Sequence, residues 1–154
     1  MKRALLVLPF VLVGCKNEID SNLLVKTVED GTAAKHLKLK TLDCPKGRPV
    51  KSGDVFTCTG MSIEGQPVTI QVTQKDDEGN VQWELQGMIL EVAKIKSDIL
   101  PKLGDGIALA CPHEVTVTAI GETTTCKITK DGETGQLHIT MDDAQGNVSY
   151  KVEK

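Results

Sequence analysis

The chain repeats itself, and nothing else in it constrains the fold as strongly. Leu42-Asp43-Cys44-Pro45 returns as Leu109-Ala110-Cys111-Pro112, and Val50 as Val117, at an offset of 67 residues. One added residue moves the offset to 68, where Gly53-Asp54 meets Gly121-Glu122 and Cys58 meets Cys126. The offset then returns to 67. Gly65 meets Gly132, Ile70 and Val72 meet Leu137 and Ile139, and Gly79-Asn80-Val81 meets Gly146-Asn147-Val148. Trp83 falls against Tyr150. A self-match of this kind is read as one structural unit taken twice. The expected units are residues 20–86 and 87–154.

Each unit reads as a helix followed by four strands. In the first, Asp20-Ser21 offers an N-cap, and Leu24, Val25 and Val28 share one helical face. Gly31 is expected to end or kink that helix. In the second, Ile89-Leu90 through Ile95 and Ile99 give similar spacing, with Pro101-Lys102-Leu103-Gly104 near the end. Strand one runs Leu37 to Leu42, and Ile107 to Leu109. A Cys-Pro turn and a short loop follow. Strand two runs Asp54 to Thr59, and Thr123 to Ile128. Strand three alternates: Val68, Ile70 and Val72 inward, then Leu137, Ile139 and Met141. Strand four is Val81 to Leu85, and Val148 to Val152. Gly-containing turns at Glu64-Gly65-Gln66, Glu78-Gly79-Asn80 and their counterparts separate the strands. The expected class is α+β: two tandem small domains, each a helix packed on a four-stranded antiparallel β-meander with one disulfide. Period-two alternation buries one sheet face and solvates the other.

The N-terminus points to export. Lys2 and Arg3 precede an uncharged, largely apolar run from Ala4 to Val13. A membrane-spanning helix needs about 20 apolar residues, so this run has signal-peptide length instead. It ends in Leu12-Val13-Gly14-Cys15, which resembles the bacterial lipobox. The expectation is a lipoprotein signal peptide at 1–14, lipidation at Cys15, and a tether over 15–19. Two or three acyl chains would hold the protein on a membrane stably. Residue 16 is Lys and not Asp, which favours the outer membrane if the host has two. Loss of Lys2 and Arg3 takes the formal charge from −3 to about −5. A mildly acidic chain does not suit nucleic-acid binding, which usually shows a basic patch.

Cys15 has no counterpart in the repeat, which leaves Cys44, Cys58, Cys111 and Cys126. An even set in an exported chain reads as a disulfide framework, here with three connectivities. Each unit carries its own pair in matching places, so pairing within units, Cys44–Cys58 and Cys111–Cys126, follows most simply. Each bridge would close about 15 residues and contribute on the order of 3 kcal/mol.

This pattern resembles a bacterial domain of unknown function, family 4333, found in exported proteins and lipoproteins. The resemblance rests on Cys44-Pro45, Gly53-Asp54-Val55-Phe56-Thr57-Cys58 and the strand Val68 to Val72. It returns in Cys111-Pro112, Gly121-Glu122-Thr123-Thr124-Thr125-Cys126 and Leu137 to Met141, with Thr124 where the first copy has Phe56. It implies a fold and export, and no activity.

Candidate chemistry is sparse. The three histidines, His36, His113 and His138, lie far apart in sequence, and no Gly-x-Ser-x-Gly elbow exists. No Cys-x-x-Cys spacing supports zinc. Asp76-Asp77-Glu78-Gly79-Asn80 fails the EF-hand spacing and reads as a hairpin turn. Trp83 and Tyr150, flanked by apolar residues two away, read as core packing and not as stacking platforms. No catalytic, cofactor-binding or metal residues are expected, and no cofactor. The expected role is a non-enzymatic envelope lipoprotein that binds another protein or an envelope component, with exposed strand edges as the route. The alternative is an inhibitor of a secreted enzyme or an envelope-assembly accessory.

Overall fold

The computed structural model describes residues 18–154, so the expected signal peptide at 1–14 and the expected lipidation site Cys15 lie outside the described residues. The first unit opens with α1 (Ser21–Ala33). Asp20 caps it, its carboxylate accepting the N–H groups of Asn22 and Leu23 at 3.0 and 3.1 Å. Leu24 and Val28 are buried on the inward face. Four strands follow: β1 (Leu39–Asp43), β2 (Val55–Ser62), β3 (Pro67–Gln74) and β4 (Val81–Leu85). They form one antiparallel sheet in chain order. Contrary to expectation, α1 does not end at Gly31 but runs on to Ala33. The Trp83 indole lies against Gly31, where a Cβ would overlap the ring. The glycine is there to let helix and β4 approach.

The chain continues through β5 (Met88–Glu91), α2 (Val92–Asp98), α3 (Leu100–Leu103), β6 (Ala108–Ala110), β7 (Val115–Thr118), β8 (Thr123–Lys130), β9 (Glu133–Met141) and β10 (Val148–Glu153). The second four-stranded sheet has the order β10-β9-β8-β6. Its register repeats that of the first. Ile70 faces Cys58 and Leu85, as Leu137 faces Cys126 and Val152. Val72 faces Phe56 and Trp83, as Ile139 faces Thr124 and Tyr150.

Both disulfides join the expected cysteines, Cys44 to Cys58 and Cys111 to Cys126. Each sits one step beyond the last backbone rung, Asp43–Thr59 in one sheet and Ala110–Lys127 in the other. Pro45 and Pro112 follow and have no N–H to continue the ladder. The bridge holds the strands together where hydrogen bonding stops.

The second unit departs from the expected helix-plus-meander. Met88–Glu91, expected as the start of its helix, is a strand. It pairs with β7, which lies in what reads as a loop, and the two form a separate antiparallel ribbon. The physical reason is burial: Ile89, Val115 and Val117 pack against the first core, around Val28, Leu37, Phe56 and Ile70. The second core gathers Val92, Ile95, Ile99, Leu137, Ile139 and Met141. Full burial of such a side chain stabilises by roughly 1.5–3 kcal/mol. Helical cover differs between the units. α1 has 13 residues and reaches Trp83; α2 has 7. Trp83 is half-buried, but Tyr150 at the matching place is 37% exposed, so its expected core role does not hold.

Candidate functional site

The Gly-acidic motif has a local cause. Gly53 and Gly121 take φ of +77° and +84°, a region L side chains rarely adopt. That turn aims the Gly53 N–H at the Gln74 carbonyl at 2.9 Å, and the Gln74 N–H returns to the Asp54 carbonyl at 2.8 Å. Gly121, Met141 and Glu122 repeat the exchange at 2.7 and 3.1 Å. The acidic side chains then tie down the loop between the cysteines. Asp54 pairs with Arg48 and accepts from Gln74 Nε2 at 3.0 Å. Its hydrogen bond from Arg48 holds its carboxyl below the usual range. Glu122 accepts the Ala119 N–H at 2.8 Å.

Asp76 and Asp143, the residues that raised the question of calcium, are engaged by their own turns. Asp76 accepts from the N–H groups of Glu78 and Asn80 and from the Asn80 side chain at 2.9, 3.1 and 2.7 Å. Asp143 makes the same three bonds with Gln145 and Asn147. The Asn80 and Asn147 side-chain bonds, with the backbone N–H groups, lower both carboxyl pKa values. Among the described residues, no group of three or more His, Cys, Asp or Glu side chains is placed to hold a metal.

His36 is exposed just after α1, and His113 stands 3.5 Å from Glu64. His138 bridges strands on the outer face of the second sheet. Its Nδ1 is 3.0 Å from Thr125 Oγ1 and its Nε2 is 3.4 Å from Glu153. That hydroxyl–imidazole–carboxylate line has the parts of a nucleophile and base. It lies on an open face, where the β9 backbone beside His138 is already paired with β8 and β10 and so is not free to steady an oxyanion.

The unit boundary holds the most organised polar contacts. Gln66, 9% exposed, sits in the β2–β3 turn region. Its Nε2 donates to the Val115 carbonyl at 2.7 Å, and its Oε1 accepts the Val117 N–H at 3.2 Å. Glu64 accepts the N–H groups of Glu114 and Val115 at 2.8 and 3.3 Å. Two side chains thus read one edge of β7 as a neighbouring strand would, while β5 pairs with the other. Sequence reasoning missed this seam. Its one signal was the Val-Thr-Val-Thr alternation at 115–118.

The register places Glu133 where the first unit has Gln66, across a turn one residue shorter than the Ile63–Gly65 loop. There, among the described residues, no strand covers the end of the sheet. Leu103, Ile107, Ile128, Glu133, Gly135 and Val152 help line a cavity of about 480 Å³. Val152 is 41% exposed. The matched inner residues of the first unit, Ser62 and Val68, are 2% and 1% exposed; Lys130 and Gly135 replace them.

Residues 5–79 match the model of a family described as Domain of unknown function (DUF4333). The DUF4333 match takes in α1, the first Cys-Pro pair, the Gly-acidic turn and β3, and ends in the Gly79 turn. No curated protein and no solved structure matches the chain.

Proposed function

We propose that this protein is a non-enzymatic bacterial envelope lipoprotein. Acyl chains on Cys15 would hold it on a membrane, and two tandem DUF4333-like units would bind another protein. The observation that carries the binding reading is the second unit's uncovered surface. β10 is a free edge in unbroken register with β9, and Tyr150 and Val152 are exposed along it. β4, the matching edge of the first sheet, is also in unbroken register but is one residue shorter, and its Trp83 is half-buried against α1; the remaining outer strands of the two sheets are blunted. β1 carries a register shift and Lys40, and β6 has only three residues. Bulges, charges and shortness blunt edges, and a long flat edge accepts a partner strand.

Three measurements test this. Mass analysis of the protein isolated from its host should find an acylated N-terminal Cys15; an intact Met1 or an unmodified Cys15 would end the lipoprotein reading. Photo-crosslinkers at Ser149 and Lys151 in native cells should capture one defined protein, and a proline at Tyr150, whose N–H faces the open edge, should abolish capture. A broad hydrolase screen showing turnover that His138→Ala removes would overturn the non-enzymatic reading.

A further inference from the structure

We propose that the strand meeting the β10 edge is the β10 of a second copy of this chain, the two running antiparallel about a two-fold axis at Val152. The inference names the partner of the binding-module reading and rests on it.

The backbone decides which groups are on offer. The Asp142 N–H donates to the Asn147 carbonyl at 2.9 Å, so Asn147 and every second residue after it, Ser149, Lys151 and Glu153, bond back to β9. Tyr150 and Val152 therefore turn N–H and C=O to the open edge, and Lys154 follows in the same alternation. Tyr150 and Val152 lie opposite the buried Ile139 and Leu137, which puts them on the inner face. The outer face carries the charge. Lys151 and Glu153 stand there two residues apart, with their charged ends 2.6 Å from one another.

That pair is its own complement. Antiparallel pairing about Val152 sets Lys151 of each copy opposite Glu153 of the other, at the non-hydrogen-bonded positions where side chains come closest. Val152 faces the second copy's Val152 and exchanges both backbone bonds with it. Tyr150 faces the second copy's Lys154, whose ammonium suits the face of a phenol ring. The neighbouring registers lose this match. An axis at Lys151 sets that lysine against itself, and an axis at Glu153 sets two carboxylates together. An axis at Tyr150 leaves Lys151 facing Ser149 and Glu153 facing Asn147, with no ion pair across the seam. The other ionisable groups near this row of the outer face are His138, 3.4 Å from Glu153, and Lys127, opposite Gln136; neither adds negative charge beside the acid.

The first unit lacks the device. By the repeat, Lys151 and Glu153 stand where it has Glu84 and Gln86. An edge with one acid and no base does not complement itself, and the Trp83 ring of β4 already lies against Gly31 of α1. Pairing of β10 with β10 joins two second-unit sheets into one and leaves neither β10 edge free, so the assembly closes at two copies. A pair of short strands is a small interface. Two copies anchored on one membrane meet at a raised effective concentration, which offsets that weakness.

The full chain, isolated from its host in detergent, should sediment as a monomer–dimer equilibrium at concentrations up to about 1 mM. Lys151→Glu alone and Glu153→Lys alone should each weaken the dimer about ten-fold or more, since each sets like charges opposite one another twice. Mixing the two single variants should restore a dimer, because one copy then carries two acids and the other two bases. A variant that had failed to fold would not be rescued in this way. Carbodiimide treatment of an equal mixture of isotopically light and heavy native chains should yield Lys151–Glu153 amides that join one light and one heavy chain. A monomer at every concentration, single variants that dimerise as the native chain does, or amides from Lys151 to Glu84 of another copy would each overturn the proposal. If the chain stays monomeric while the crosslinker at Ser149 captures a different protein, the binding-module reading survives and self-pairing does not.

Discussion

Gly31 shows how one residue can mislead a local reading. A glycine inside a helix costs about 0.5–1 kcal/mol relative to alanine, which is why it reads as a stop. Here the Trp83 ring occupies the space a Cβ would need. Gly31→Val should therefore lower stability by roughly 1–3 kcal/mol through overpacking, read as a lower urea midpoint at unchanged slope. In a Trp83→Ala background the sign should invert. Gly31→Ala should then stabilise by about 0.5–1 kcal/mol, because only the helix-propensity term remains. A destabilising Gly31→Ala in that background would refute the packing account. Asp76 and Asp143 give a second residue-scale prediction. Their folded pKa values are lowered, chiefly by Asn80 and Asn147. Their contribution is thus present above the ordinary carboxylate pKa of about 3.9 and is lost as pH falls through the lower folded values. Urea midpoints taken from about pH 5 downward should decline, and Asp76→Asn with Asp143→Asn should flatten that decline, since asparagine keeps an acceptor oxygen without a titrating group. These aspartates were legible as turn formers from Gly79-Asn80 and Gly146-Asn147. The Gly31 contact was not, because its cause lies on a strand about fifty residues away.

At the scale of elements, legibility follows the range of the interaction that forms each one. β3 and β9 were readable because alternation within the strand already tells which side is buried. The cysteine pairing was readable because the repeat carries it. β5 and β7 were not. Met88–Glu91 holds three consecutive apolar residues and suits helix or strand equally, and its partner lies beyond α2, α3 and β6. The apolar spacing through Ile95 and Ile99 continued into that segment and made it look helical. The seam was hidden for the same reason, since Glu64 and Gln66 read as ordinary turn residues until β7 is placed beside them. The bridges should act at this scale as well. Cys44→Ala with Cys58→Ala should cost on the order of 3 kcal/mol, and so should the pair Cys111→Ala with Cys126→Ala. Peptide mapping without reductant should recover only the two within-unit pairs, and a Cys44–Cys111 peptide would contradict the structure.

The whole molecule is two matched sheets coupled through a ribbon that belongs to the second half of the chain and packs on the first core. That arrangement bears on cooperativity. Two units linked only by a tether would unfold separately. Here Ile89, Val115 and Val117 are shared apolar surface, and Glu64 and Gln66 meet four backbone groups of residues 114–117. Removing a partner from a buried backbone group costs about 1–3 kcal/mol, and Gln66 is the better buried of the two side chains. Gln66→Ala alone should lower overall stability by an amount in that range, about 1–3 kcal/mol. Glu64→Ala combined with Gln66→Ala should do something different in kind. Both units keep their disulfides and their own cores, so the loss should fall on the coupling between them. The native protein should unfold in one transition, with Trp83 fluorescence and Tyr150 absorbance changing together. In the double variant the two probes should separate, because Trp83 reports on the first sheet and Tyr150 on the second. Coincident transitions in the double variant would show that the buried faces of β5 and β7 couple the units without help from the turn, and that the side chains of Glu64 and Gln66 only fix the position of β7.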